Sequence, residues 1–357
     1  MIDIINIIKR ELYYLIKNPM TYVAIILMSV IVVITVTPYL NPYAQVRGED
    51  EPVEYDLDGD IDEGYIPTPV EERYRVALEE LKSGLINDVG LNTVQAENEI
   101  NMIKNNAWER EKIVEYFKDK YSLNGANSTF EKYEYKHATF LEMQQYLEEK
   151  FANKTYTKSF AYKYSEFLSL GSVLATVIVF VILLSRDMRR DIYALLHTKF
   201  VDGKRYILGK LISGVSIIYV GLILLTIVVD IIVMEKCGAL GVERNFFDIW
   251  QIIVVYNLPN IILTGCVTIA VTLLFKSMLP VIPIMLIYFI YSNMGAEIAE
   301  SGYIYILRPL GLFIRYPNLF ADLVTPKGAV LNQVLLCSVA VILTFLNITL
   351  WERRRNI

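Results

Sequence analysis

Apolar runs of about 20 residues recur along this 357-residue chain and separate its charged segments. An α-helix needs about 20 apolar residues to cross the hydrocarbon core of a bilayer, which is about 30 Å thick. Six candidate spans satisfy or approach this length: residues 20–40, 167–184, 207–234, 249–275, 278–291 and 330–350. With 54% hydrophobic residues in the whole chain, the pattern predicts a polytopic membrane protein and excludes an ordinary soluble enzyme.

The distribution of basic residues predicts the orientation of these spans. The fifth candidate is the shortest and carries Pro280 and Pro283, so by length alone it fits a re-entrant segment as well as a span. If all six cross, the short segments on the side of both termini hold 14 Lys or Arg, and those on the opposite side hold 5. Positive charge accumulates in short cytoplasmic loops. We therefore expect a multi-pass protein of the cell membrane with both termini in the cytoplasm.

Residues 1–19 have a helical periodicity of their own. One helical face carries apolar side chains, and the other carries polar ones that include Asn6, Arg10 and Lys17. The apolar set is Ile4, Ile5, Ile8, Leu12, Leu15 and Ile16. This pattern predicts a cytoplasmic helix lying in the membrane interface, which ends at Asn18-Pro19 before the first span at 20–40.

The segment 41–165 resembles a water-soluble domain in composition. It holds 25 Asp or Glu and 15 Lys or Arg, and its acidic start at 49–63 is typical of an exposed loop. Helical periodicity follows at about 70–85, 92–120 and 128–152. We expect an extracellular, mostly helical domain inserted between the first and second spans.

Motifs for catalysis or metal binding are missing from the sequence. There is no G-x-x-x-x-G-K-[ST] phosphate loop and no G-x-S-x-G nucleophile turn. The two histidines, His137 and His197, lie far apart, and the three cysteines are scattered. We expect no enzyme activity, no metal site and no cofactor bound by this chain.

Polar residues inside the apolar runs are the better indicators of function, because burying them in a membrane costs free energy. Asn257, Pro259 and Asn260 cluster in the fourth candidate span. They could line a translocation pathway or form hydrogen bonds between helices, and the sequence favours neither. Asp230, near the outer end of the third span, is expected at the membrane interface.

The segment after the second span, SRDMRRDIYALLHTKFVDGKRYILGKLISG, resembles the coupling loop of type-2 ATP-binding-cassette (ABC) exporter permeases. It has a charged start, a short amphipathic helix, a break, and a basic residue with Gly-Lys leading into the next span. The order of features along the chain agrees: an interfacial helix, a large external insert, and an apolar external stretch at 297–328 similar to the family's short re-entrant helices. Asp187 stands where the family often has glutamate, and Asp191 where glycine is usual.

The resemblance implies a separate ATPase subunit, which would bind ATP with Mg²⁺ and push on the coupling loop 185–206 and on the first helix. The residues it implicates in coupling are Arg10, Glu11, Asp187, Arg190, Asp191, Leu195, His197 and Lys204. It further implies a second permease chain, identical or paralogous, contact with membrane lipid, and no nucleic-acid partner. The exported substrate would be a peptide, a drug or another amphipathic molecule.

The fold class expected is therefore an all-α polytopic membrane protein with six transmembrane helices and one inserted helical domain. The residues 166–357 would hold spans two to six. An alternative is a non-transporting sensor or immunity protein whose external domain binds a ligand. An absent or uncoupled ATPase would favour that alternative.

Overall fold

The chain folds into two compact units in a computed structural model that describes residues 4–189, 192, 196, 202–299, 302–317 and 319–355. One unit comprises Met1–Leu40 with Phe151–Ile357, and the other comprises Asn41–Lys150. We call them the helical bundle and the inserted unit. The boundary of the inserted unit at Lys150 precedes the expected one at 165, because the helix of the second span begins already at Tyr156.

Most of the bundle is helical. Its helices are α1 (Ile4–Lys17), α2 (Pro19–Val36), α8 (Tyr156–Ser185), α9 (Gly203–Leu240), α10 (Phe247–Tyr256), α11 (Leu258–Phe275), α12 (Val281–Asn293) and α13 (Ala329–Arg355). Five apolar stretches in the described residues are long enough to cross a membrane: α2, α8, α9, α10 with α11, and α13. These helices indicate a multi-pass membrane protein.

The fifth predicted span is shorter than a bilayer requires. The helix α12 has 13 residues, which corresponds to about 20 Å. Met278 and Pro280, which the predicted span included, lie in the turn before the helix, and Met294 ends it. Among the described residues, the structure therefore gives five apolar helical stretches of spanning length and one short apolar helix in place of six spans.

The boundary between α1 and α2 follows from two adjacent residues. The side chain of Asn18 accepts a hydrogen bond from Met20 N at 3.0 Å, and Pro19 occupies the first position of α2. An asparagine cap satisfies an otherwise free N–H, and proline there loses no helical hydrogen bond. The predicted break at Asn18-Pro19 is thus a change of helix.

Glycines allow the bundle helices to approach closely. The ring of Phe180, on α8, fits between Gly214 of α9 and Gly265 of α11, where a Cβ would lie 2.5 Å and 2.6 Å from its atoms. At Gly209 a Cβ would lie 2.6 Å from the side chain of Ile7, so α1 packs directly on α9. Phe180 lies in the core of the bundle and is fully buried.

In the stretch expected to form short re-entrant helices, the described residues form two paired strands and a mostly extended segment instead. Strands β4 (Ala296–Ala299) and β5 (Gly302–Tyr305) pair antiparallel, and the only helical piece among the described residues of 297–328 is the 3₁₀ turn Phe320–Asp322. Lys154 and Lys163 donate hydrogen bonds to backbone carbonyls of this stretch, at Leu323 (2.8 Å) and Tyr316 (3.1 Å). An extended backbone with free carbonyls can accept these bonds, whereas a helix would use them internally.

The inserted unit is helical with a small sheet. Its helices are α3 (Val70–Asn87), α4 (Thr93–Asn105), α5 (Arg110–Tyr121), α6 (Ala126–Lys132) and α7 (Phe140–Lys150). The helix expected at 92–120 is two helices, α4 and α5, separated near Ala107, whose φ is 45°. Strands β1 (Tyr55–Asp56) and β2 (Tyr65–Pro67) flank β3 (Tyr135–His137), all antiparallel. The unit is therefore not all-α, and part of the acidic segment 49–63 forms a strand.

The sheet carries one nearly buried cation. Lys136, on β3, is 6% exposed and forms ion pairs with Glu72 (2.6 Å) and Glu142 (2.8 Å). Buried Lys is rare unless paired. The two carboxylates thus fix the strand against the helices α3 and α7.

Candidate functional site

Four charged side chains from three elements meet inside the bundle. Glu11 comes from α1, Arg186 and Asp187 follow the last residue of α8, and Lys210 lies in the second turn of α9. We call this set the ion cluster. Its four pairs are Arg186 Nη2–Glu11 Oε1 at 2.7 Å, Arg186 Nε–Asp187 Oδ1 at 3.2 Å, Lys210 Nζ–Glu11 Oε2 at 2.9 Å and Lys210 Nζ–Asp187 Oδ2 at 2.6 Å.

The cluster is closed: each acid contacts both bases, and each base contacts both acids. Glu11 is 4% exposed, Asp187 3% and Lys210 1%. Two carboxylates and two cations give no net charge. Burying charges is costly unless they are paired and hydrogen-bonded, and this arrangement meets both conditions.

Neutral groups complete the hydrogen bonding of the cluster. The hydroxyl of Tyr206 donates to Asp187 Oδ2 at 2.7 Å, and Lys210 also donates to the carbonyl of Leu183 at 3.1 Å. The guanidinium of Arg186 lies 4.6 Å from the ring centre of Tyr14. The middle of α1, the end of α8 and the start of α9 are therefore joined by ion pairs and hydrogen bonds.

The electrostatics of Asp187 follow from these contacts. Burial alone would raise the pKa of Asp187, but the ammonium of Lys210, the hydroxyl of Tyr206 and the guanidinium of Arg186 together hold that pKa below its ordinary value. A carboxylate that accepts several charged or polar donors keeps its ionised form. Asp187 is therefore ionised at neutral pH and holds Lys210 and Arg186 by its charge.

Local hydrogen bonds fix both ends of the loop 185–206. After Ser185 the chain makes a turn in which Asp187 N and Met188 N both donate to Leu184 O, at 3.0 and 3.1 Å. At the other end of the loop, the side chain of Asp202 caps α9 by accepting from Lys204 N. The cluster therefore joins both ends of the loop 185–206 to α1.

The end of α13 packs on the same region. The ring of Tyr206 stacks on that of Trp351 with centres 3.7 Å apart. At Gly203 a Cβ would lie 2.8 Å from the Glu352 side chain. Four helices thus converge at the base of the loop.

The structure divides the residues predicted for coupling into three groups. Glu11 and Asp187 are buried in the ion cluster, so their charges face other residues of the same chain. Arg10 and Lys204 are exposed. Arg190, Asp191, Leu195 and His197 lie outside the described residues.

Three members of the site were missed from the sequence: Arg186, Tyr206 and Lys210. Arg186 and Lys210 counted only as positive charges flanking the spans. Lys210 could have been identified because an apolar run, LISGVSIIYV, follows it directly on the same helix. Such a lysine needs a buried anion, and the sequence alone does not identify which carboxylate supplies it.

The polar residues of the fourth span lie between α8 and α11. Asn257 accepts from Ser165 Oγ at 2.9 Å and donates to Ser169 Oγ at 2.7 Å, and Asn260 donates to Ser169 Oγ at 3.4 Å. Asn257 and Asn260 are fully buried. Pro259 lies in the first turn of α11, next to the break after α10. Of the two interpretations left open, these contacts belong to hydrogen bonding between helices, and a pathway role stays a prediction.

Asp230 is buried within the bundle, and its position at the membrane interface stays a prediction. It is fully buried and accepts a hydrogen bond from Trp250 Nε1 at 2.9 Å. Among the described residues, no group of three or more His, Cys, Asp or Glu side chains is placed to hold a metal ion.

Comparison with known proteins does not assign the chain to a family: no protein-family model, no curated protein and no solved structure matches it.

Proposed function

We propose that this chain is the membrane-spanning permease subunit of an ABC exporter. It would form half of the translocation pathway beside a second permease chain, in the cell membrane with both termini in the cytoplasm. A separate ATPase subunit would bind ATP with Mg²⁺ and drive export of a peptide, a drug or another amphipathic substrate. The resemblance of the loop 185–206 to a coupling loop is the starting point of this proposal.

The ion cluster is the observation that carries the proposal. A loop can transmit the movement of a partner only if it is held rigidly against the helices that must move. The cluster ties the loop's first residues, Arg186 and Asp187, to α9 through Lys210 and to α1 through Glu11. Force applied to the loop or to α1 would then act on α8 and α9 together.

The burial of Glu11 and Asp187 refines their role. Their carboxylates are occupied inside the chain, so we assign them the positioning of α1 and the loop. The contact surface would be formed by the exposed Arg10 and Lys204 together with Arg190, Asp191, Leu195 and His197. The amphipathic substrate class rests on the resemblance alone.

The test is co-purification of the tagged full-length chain from its native membrane in mild detergent. We expect an ATPase subunit to purify with the wild type and to be lost in the double variant Arg190→Glu, Asp191→Lys. The matched control is Lys276→Glu, an exposed basic residue outside the loop. The control should retain the ATPase.

Failure to recover an ATPase with the wild type, in the presence and absence of ATP, would contradict the proposal. The sensor or immunity protein would then become the leading interpretation. If the loop variant and Lys276→Glu lose the ATPase subunit to the same extent, the assignment of the loop as the docking surface is contradicted.

A further inference from the structure

Asp230 is the one buried Asp, Glu, Lys, Arg or His among the described residues of the bundle that lies outside the ion cluster. It lies on α9, about 40 Å along the helix from Gly203. Neighbouring residues on the same helix expose large apolar side chains: Ile227 (42%), Val228 (56%) and Ile231 (60%). Asp230 itself is fully buried, so its carboxyl group lies behind an apolar surface and away from water.

The partners of Asp230 do not compensate a negative charge. Its Oδ2 accepts one hydrogen bond, from Trp250 Nε1 on α10. Its Oδ1 is buried without a hydrogen-bond partner, and no Lys, Arg or His among the described residues forms an ion pair with it. An ionised carboxylate so placed would lack both a counter-ion and most of its hydrogen bonds, which is energetically unfavourable.

Two titratable groups of the described residues face Asp230 from other elements. They are Asp248 on α10 and the hydroxyl of Tyr164 on α8, and neither can supply a positive charge. Tyr164 is itself hydrogen-bonded to Thr226, one turn before Asp230, at 3.0 Å. A nearby carboxylate disfavours a second negative charge.

Asp248, also on α10, has a different hydrogen-bonding environment from Asp230. Its Oδ2 accepts from the hydroxyls of Thr155 and Thr157, both at 2.6 Å, and its Oδ1 accepts from Asn245 Nδ2 at 3.1 Å. The carboxyl group of Asp248 therefore accepts from three donors, whereas that of Asp230 accepts from one.

We propose that Asp230 is a proton-binding site inside the helical bundle, occupied by a proton while α9 and α10 pack as they do here. The proton resides on Oδ1, and Oδ2 remains the carbonyl oxygen that accepts from Trp250. Loss of the proton leaves a charge that this packing cannot hold, so ionisation and separation of α9 from α10 are linked. The inference does not depend on the proposed ATPase.

The test is infrared spectroscopy of the purified full-length chain in liposomes, as the difference between wild type and Asp230→Asn. We expect a protonated carboxyl C=O band at neutral pH in the wild type that is lost in Asp230→Asn. The matched control, Asp248→Asn, should retain the band. Raising the pH should abolish the band in the wild type.

If Asp230→Asn disturbs folding, the variant Trp250→Phe tests the same carboxyl group. Trp250→Phe removes the indole donor to Oδ2, so the band should persist and move to higher wavenumber. A carboxylate band in place of the carboxyl band at neutral pH would overturn the proposal. So would a carboxyl band that Trp250→Phe leaves unshifted, because the band would then belong to another group.

Discussion

Lys210 is the residue whose loss should disturb the ion cluster most. It is 1% exposed and contacts both Glu11 and Asp187. In Lys210→Met two buried carboxylates share only Arg186, and breaking a buried pair in this way costs about 3–5 kcal/mol. We expect a corresponding loss of stability, measured as thermal unfolding in detergent.

The matched comparison is the double variant Lys210→Met, Asp187→Asn. It restores neutrality around Glu11 and Arg186, so it should be more stable than Lys210→Met alone, with a coupling of about 1–3 kcal/mol. Strict additivity of the two changes would contradict an energetic interaction between Lys210 and Asp187, whose charged atoms lie 2.6 Å apart.

The depressed pKa of Asp187 predicts how the cluster responds to acid. Its folded-state pKa lies below the unfolded value of about 3.9, so its ionised form stabilises the fold above that value. The contribution is lost as the pH falls through the folded pKa. We expect the difference in unfolding temperature between wild type and Asp187→Asn to be constant above about pH 5 and to shrink below it. A difference that grows on acidification would contradict the assignment.

At the scale of elements, the contact between α1 and α9 depends on the absence of a side chain at Gly209. Gly209→Leu should force α1 away from α9, because the new atoms would overlap Ile7. We expect faster proteolytic cleavage within residues 4–17 of the variant. Val220→Leu, at an exposed position of the same helix, adds bulk without meeting α1 and should leave cleavage unchanged. Equal cleavage in both variants would contradict the packing described.

The elements that the sequence predicts well are those with a long periodic or apolar signal. The helix in residues 1–19 and the long spans fall in this class, although α1 buries Glu11 and exposes Ile5 and Ile16, in contrast to a simple amphipathic pattern. Periodicity identifies the apolar face of a helix but not the element that packs against it. Lipid can cover an apolar side chain, and a lysine on another helix can attract a carboxylate to the buried side.

The short strands had no such signal. The strand β1 has two residues, and Tyr55 pairs with Lys136, far along the chain. Two or three residues cannot show the alternation that predicts a strand. The strands β4 and β5 were missed because, with four residues each, they are also short. The ion cluster was also inaccessible from the sequence, because its members are brought together only by the packing of α1, α8 and α9.

At the scale of the whole molecule, the two termini lie on the same side of the membrane only if α12 crosses it. The helix is about 20 Å long, and a short apolar helix crosses only if the bilayer thins or flanking residues extend to the interface. The distribution of basic residues favours a crossing. We expect a cysteine appended to the C-terminus and one introduced at Asn6 to react only with a membrane-permeant thiol reagent in intact cells.

The control for this experiment is a cysteine at Asn106, in the inserted unit, which should react with an impermeant reagent. The native Cys237, Cys266 and Cys337 would be replaced in all variants. A C-terminal cysteine labelled by the impermeant reagent, with the one at Asn6 protected, would show five crossings and place the termini on opposite sides.

The most direct test of the central claim is ATP hydrolysis by the reconstituted complex of this chain with its co-purified ATPase. We predict that the wild-type chain changes the ATPase rate and that Lys210→Met binds the ATPase but reduces this effect by at least about fivefold, a typical lower limit for coupling between sites. Full coupling in a folded Lys210→Met complex would contradict the claim that the ion cluster transmits force from the loop to the bundle. An ATPase rate that no form of the chain affects would contradict the permease assignment itself.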